Sequence, residues 1–176
     1  MAKRVTDLTE LDSLAANDLL VLVDTSDTSS SAVGTSKKMK AEDIIYTEKI
    51  SLSSAQLNAL YTTPVQLIAA PGSGFTLIPV SIMLTFNYVS TTQSGKLKFY
   101  VGYGTVTANE HISEGASYMH TITSTTTYFM PIGDTDKPAV VGGTSDNQPI
   151  KCTSSGNYSN DMTLDVYLTY KRYKLY

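Results

Sequence analysis

From Ile78 to Tyr88 the chain alternates apolar with mostly polar residues, and few folds accept so long a run. Ile78, Val80, Ile82, Leu84, Phe86 and Tyr88 fall on one side of an extended strand, and Pro79, Ser81, Met83, Thr85 and Asn87 on the other. Period two with one apolar face means a sheet that buries one side. Leu97, Phe99, Val101 and Tyr103 repeat the pattern against Lys96, Lys98 and Tyr100. Met162, Leu164, Val166, Leu168 and Tyr170 repeat it near the C-terminus. Three half-buried strands of this kind seed two packed sheets, with Ile82, Leu84, Phe86, Phe99, Val101, Leu164, Val166 and Leu168 as the expected core.

The remaining segments fill out the same class. Between the long strands, Ser117 to Ile132 is a Thr-rich strand candidate, and Pro138 to Val141 and Pro149 to Cys152 are shorter ones. Gly142-Gly143, Asp146-Asn147 and Ser154 to Asn160 read as turns. Upstream, Ser53 or Ser54 caps a short helix, and Val65 to Ala69 runs into the turn Pro71-Gly72-Ser73-Gly74, which reads as a β-hairpin leading into the long strand. A quarter of the residues are Ser or Thr and only 16% are charged, which favours strands and turns over salt-bridged helices. The expectation is an all-β chain: an antiparallel β-sandwich or jelly roll of roughly eight strands over residues 49–176, behind a small module over residues 1–48.

In that first module Leu8, Leu11 and Leu14 recur at helical spacing over one or two turns. Leu19 to Asp24 is a compact strand, Thr25 to Ser36 a polar loop, and Lys37 to Lys40 a candidate partner strand. Ala41 to Ile45 reads as a single helical turn. The charge is uneven: up to Glu48 there are 5 Lys/Arg against 9 Asp/Glu, net −4, and after it 8 against 7, net +1. A total of −3 supplies no global positive field, so nucleic acid is not an expected partner. No stretch approaches transmembrane length and Val5 to Ala16 lacks a signal peptide's apolar run, so membrane insertion is not expected and synthesis in the cytoplasm is.

Catalytic chemistry finds little to work with. Cys152, the single cysteine, lies in Pro149-Ile150-Lys151-Cys152 without the surroundings of an activated thiolate, and reads as inert and at least half-buried. Glu110, His111, Glu114 and His120 offer metal ligands, but His111 and Glu114 fall on opposite faces of an extended segment, so solvated loop residues are the expectation. Asp134 and Asp136 sit in a turn composition, with a calcium site as the lesser alternative. The Gly102-Tyr103-Gly104 and Gly72-Ser73-Gly74 segments lack the strand-to-helix context of a phosphate cradle. The expectation is a non-enzymatic chain with no cofactor and no metal.

Two segments carry a resemblance. Thr6-Asp7-Leu8 through Leu14, Asn17-Asp18 through Asp24, and Ser36-Lys37-Lys38-Met39-Lys40 through Ile44 resemble the short N-terminal module of many phage tail-fibre and other virion-attached proteins. This copy departs from the usual pattern in its long Thr25 to Thr35 loop and in Ser36 where Thr is common. Ile50-Ser51-Leu52-Ser53-Ser54-Ala55-Gln56 and Thr63-Pro64-Val65 through Gly74 are similar to the opening of a group of small phage structural proteins, whose β-rich domain belongs to head or tail. The resemblance implies a virion location and partners among capsid, portal or tail proteins. It implies docking through Leu8, Leu11, Leu19, Val21, Val23, Asp24, Lys37, Lys38 and Ile44. Likeness to phage fibres further implies a homotrimer.

Self-association has a basis in the residues as well. Leu77, Met83 and Val89 lie on the nominally outer face of the long strand, and the C-terminal end gathers Tyr167, Tyr173 and Tyr176 near Lys171, Arg172 and Lys174. Tyr170 is expected in the core. For the others three roles fit: cover for a sheet edge, a subunit interface, or a patch that binds a host glycan, as in a carbohydrate-binding module or host-surface adhesin.

Overall fold

The computed structural model describes residues 19–24, 35–40, 44–91, 93–106, 112–133, 146–159 and 161–175. The chain divides into two compact units, Met1–Ile44 and Ile45–Tyr176. In the first, strands β1 (Leu19–Asp24) and β2 (Thr35–Lys40) pair antiparallel, Leu19 opposite Lys40 and Asp24 opposite Thr35. The expected helical segment around Leu8 to Leu14 lies outside the described residues, as do 41–43 of the turn expected over Ala41 to Ile45.

The second unit starts earlier than the sequence pattern suggests, because Ile45 opens strand β3 (Ile45–Leu52) rather than closing a helical turn. A five-residue helix α1 (Ser54–Asn58) follows. Ser53 caps it in a capping box, its hydroxyl accepting from the Gln56 amide while the Gln56 side chain returns to the Ser53 amide at 3.0 Å. The remaining strands are β4 (Val65–Ile68), β5 (Phe75–Asn87), β6 (Gln93–Tyr103), β7 (Ser113–Ile122), β8 (Thr126–Met130), β9 (Ile150–Ser154) and β10 (Thr163–Lys174). The Thr-rich stretch read as one candidate is thus two strands, and the segment Pro138 to Val141 lies outside the described residues.

These strands make two antiparallel four-stranded sheets, β3-β10-β5-β8 and β4-β9-β6-β7. The expected β4–β5 hairpin does not form: β4 pairs with β9, and β5 with β10 and β8, so the glycine turn carries the chain from one sheet to the other. Gly72 and Gly74 have φ of +98° and +78°, where a side chain would be strained. Their amides donate to Asn147 and Asp146 side chains at 2.9 and 3.0 Å, which ties the crossover to the loop before β9. Of the connections between the described strands of this unit, β6 to β7 alone stays within one sheet.

Both sheets feed one buried cluster. Its members include all eight expected core residues, each at most 1% exposed, together with Leu52, Leu57, Leu60, Ile150, Cys152 and Met162. Phe86 meets the Tyr128 ring edge-on with centroids 6.1 Å apart and lies 6.2 Å from Tyr158. Burying a side chain of this size contributes about 1.5–3 kcal/mol in transfer terms, so these residues dominate the stability of the unit.

One feature of β5 departs from strict alternation. Ser81 faces Thr169 and Pro79 faces Tyr170, which leaves Val80 as an extra, unpaired residue, a β-bulge. The reason is local: proline has no N–H for the ladder, and within a sheet it is tolerated at a bulge or an edge, here beyond Ile82 where β10 alone flanks β5. Beyond the bulge the faces exchange. Pro79 and Leu77 turn inward, Leu77 to 3% exposure, while Val80 is 50% exposed. Leu77 is therefore a core residue, not the outer-face residue that simple alternation makes it, and Val80 is not core.

Candidate interaction face

The outward side of the sheet β3-β10-β5-β8 is built by cross-strand rows. Where all four strands run side by side, one row is Lys49–Tyr167–Met83–Phe129 and the next is Ser51–Asp165–Thr85–Thr127. Tyr128 and Met130 of β8 point inward against the core, so Phe129 between them must point out, and at 78% exposure it is the most exposed large apolar side chain described. Met83 and Tyr167 are half-buried beside it. The bulge sets Val80 on the same side, next to Ser81.

The polar members of the two rows are already paired with one another. Asp165 accepts from the Ser51 hydroxyl at 2.6 Å and from Asn87 at 3.1 Å, and lies 3.0 Å from the Lys49 ammonium. Burial raises the Asp165 carboxyl, but these hydrogen bonds and the Lys49 charge outweigh it and leave its pKa below the ordinary value. The hydrogen bond to Asp165 raises Lys49 in turn, and its ammonium also stands 5.7 Å above the Tyr167 ring. Thr85 and Thr127 share a hydroxyl hydrogen bond of 3.0 Å across strands, and Thr47 and Thr169 another of 3.0 Å further along.

The expected interface residues divide. Met83 and Tyr167 lie in this face, and Tyr173, exposed, shares its side by alternation along β10. Val89 is 62% exposed but lies past the end of β5; Leu77 is core; Tyr176 lies outside the described residues. Phe129 and Val80 are the residues that sequence reasoning missed. The inward alternation of Tyr128 and Met130 would have pointed to Phe129, and Pro79 to the bulge. At the other end of β10, Arg172 stacks on the Phe75 ring at 3.9 Å and donates to the Pro71 carbonyl at 2.7 Å, which makes it a clamp on the crossover loop.

Of the expected docking residues, Leu19, Val21, Val23 and Asp24 lie on β1 and Lys37 and Lys38 on β2, Ile44 stands half-buried just before β3, and Leu8 and Leu11 lie outside the described residues. His111, Asp134 and Asp136 also lie outside them; Glu114 and His120 fall on β7. Cys152 is fully buried and burial pushes its thiol up to about 12, so it stays protonated and unreactive at neutral pH. Among the described residues, no group of three or more His, Cys, Asp or Glu could hold a metal ion, and no helix is long and apolar enough to cross a membrane. No family model matches the chain, and no curated protein matches it.

Proposed function

We propose that this chain is a non-enzymatic structural component of a bacteriophage particle, a head or tail fibre or decoration protein attached through its N-terminal module. Its second unit is read as a jelly-roll sandwich. Numbering the eight strands β3 to β10 from one to eight, the sheets run 1-8-3-6 and 2-7-4-5, the interleaved order of that fold, which serves viral capsid and lectin domains. Fold alone does not assign function, and the reading rests on the sequence patterns of both units together with this strand order.

The observation that carries the non-enzymatic reading is the character of the outward face: the side chains of Tyr167, Met83 and Phe129 in one row, flanked by polar groups that are bonded to each other. Such a face suits association rather than catalysis, which needs groups aimed at a reacting atom. A homo-oligomer follows from it, and the likeness to phage fibres favours a trimer. The exposed ring of Phe129 and the half-buried ring of Tyr167 on one sheet face also fit a second reading, a glycan-binding adhesin. Particles grown with the full-length chain and with a chain lacking residues 1–44 separate these readings. Incorporation of the full chain and loss of the truncated one is the expected result. Absence of the full-length protein from particles, with tight glycan binding by the free protein, would overturn it in favour of the adhesin.

A further inference from the structure

From the same face we infer which surface joins the copies: the outward side of β3-β10-β5-β8, centred on Met83 and Phe129, docks against a second copy of this chain. This rests on the oligomeric part of the reading above and goes beyond it by naming the surface. Scattered apolar residues on a surface need no explanation, but Phe129, Met83, Tyr167 and Val80 are gathered on one side of one sheet, and two of them are at least half exposed.

The polar groups of the face argue for the kind of partner. Covering a surface is costly when donors and acceptors lose water without gaining partners. Here Ser51, Asp165, Thr85 and Thr127 already bond within the face, and Lys49, half exposed on the edge strand β3, keeps its remaining donors toward water, so an apolar partner can cover the centre of the face without orphaning a group. A sugar needs hydroxyl-directed donors and acceptors that these residues have committed elsewhere. A strongly charged partner meets an ion pair that is already neutral. A second copy presents the same exposed apolar side chains, Phe129 and Val80, beside polar neighbours that are bonded among themselves. Phe129 projects from the edge strand, and Met83 and Tyr167 lie lower, with Tyr167 about two strand spacings, roughly 10 Å, from Phe129. Turned by a twofold axis, each copy's Phe129 stands over the Met83–Tyr167 part of the other.

Strands about 4.8 Å apart, β3, β10 and β5 followed over some eight residues and β8 over its five, span on the order of 500 Å² per copy. That is near the small end of specific interfaces, so association in the micromolar range is expected from this face alone. A trimer would place the same Phe129 against a different part of its neighbour, and the mass of the assembly tells the two symmetries apart.

The test is sedimentation velocity on the full-length chain over about 1–100 µM, for the wild type and for Phe129→Lys, with thermal melts to confirm that this exposed substitution leaves the fold intact. A Met83→Cys variant treated with a short bis-maleimide gives a second readout, because the native Cys152 is buried and does not compete. The wild type should associate above the 19.0 kDa monomer, Phe129→Lys should weaken association by about a hundredfold, as loss of a central aromatic anchor does, and Met83→Cys should crosslink between copies. Unchanged association of Phe129→Lys without crosslinking at position 83 would overturn the inference while leaving the virion reading standing. A wild type that stays monomeric at the highest concentration would overturn it too. Presence or absence on particles reports on the virion reading separately.

Discussion

The bulge at Val80 makes a sharp prediction, because it inverts which residues of β5 the core depends on. Strict alternation from Ile82 puts Val80 inside and Leu77 outside; the structure reverses both, with Leu77 at 3% and Val80 at 50% exposure. Leu77→Ala deletes a buried isobutyl group whose cavity the surrounding sheets cannot close, at a cost of about 2–5 kcal/mol. Val80→Ala removes two methyl groups that are half in water already, so about 0.8 kcal/mol is expected from a transfer term near 0.8 kcal/mol per buried carbon. At roughly 3 °C per kcal/mol for a chain of this size, Leu77→Ala should lower Tm by about 6–15 °C and Val80→Ala by about 2 °C. Thermal and urea unfolding followed by circular dichroism measure both, with protein concentration varied so that association does not enter the comparison. A Val80→Ala variant that loses as much stability as Leu77→Ala would refute the bulge and restore the simple register.

Three further outcomes follow from the same contacts. Phe86→Asp places an unpaired charge among Tyr128, Tyr158 and the central strands and should abolish folding; a soluble variant that melts cooperatively would contradict the core assignment. The Asp161 carboxylate accepts from the Ser90 hydroxyl at 2.5 Å and from the Thr91 and Ser90 amides, which holds its pKa down at about 2 against an ordinary 3.8. A depressed carboxylate stabilises the fold above the unfolded pKa and loses that contribution as pH falls through the folded one, so Asp161→Asn should reduce the stability lost between pH 3.8 and about 2, measured by urea midpoints across that range. Removing residues 1–44 should leave the second unit folded, whereas removing 1–48 cuts half of β3 with the Tyr46–Tyr170 ring stack and the 2.5 Å Tyr170–Glu48 hydrogen bond; equal melting temperatures for the two truncations would argue against β3 starting at Ile45.

How far the sequence reaches can be judged strand by strand. Ile82, Leu84, Phe86, Leu164, Val166 and Leu168 are legible because both flanking residues of each keep the period; Phe99 and Val101 are buried too, but so is Tyr100 between them, which alternation puts on the outer side. The first half of β3 is not, because its inward row is Tyr46, Glu48, Ile50 and Leu52: a carboxylate breaks the apolar alternation, and only the distant Tyr170 hydroxyl explains why it sits there. Pro71-Gly72-Ser73-Gly74 announces a turn correctly but says nothing about which sheet receives the next strand. That depends on pairing with β9 and β10, more than 70 residues away, as in the Asp146 and Asn147 side chains that hold the glycine amides. The outward face is legible in part. Met83 and Tyr167 follow from the long strands, while Phe129 is hidden in a Thr-rich run that one reads as continuous but that turns between β7 and β8.

Pro79 connects these points, since a single missing amide hydrogen acts on both the core and the face. Position 79 has no N–H to give to a neighbouring strand, and the strand accommodates one extra residue there. The accommodation brings Leu77 under the sheet, where the Tyr103 hydroxyl donates to its carbonyl and fixes the inverted segment to the opposite sheet. It also delivers Val80 to the side on which Met83 and Phe129 stand. An even strand would have kept Val80 in the core and left Leu77 outward near Tyr173, some distance along the sheet from Phe129. The bulge therefore moves exposed apolar surface along β5 from the Tyr173 end toward Met83 and Phe129, and a patch that gathers such side chains is what a specific contact between copies requires.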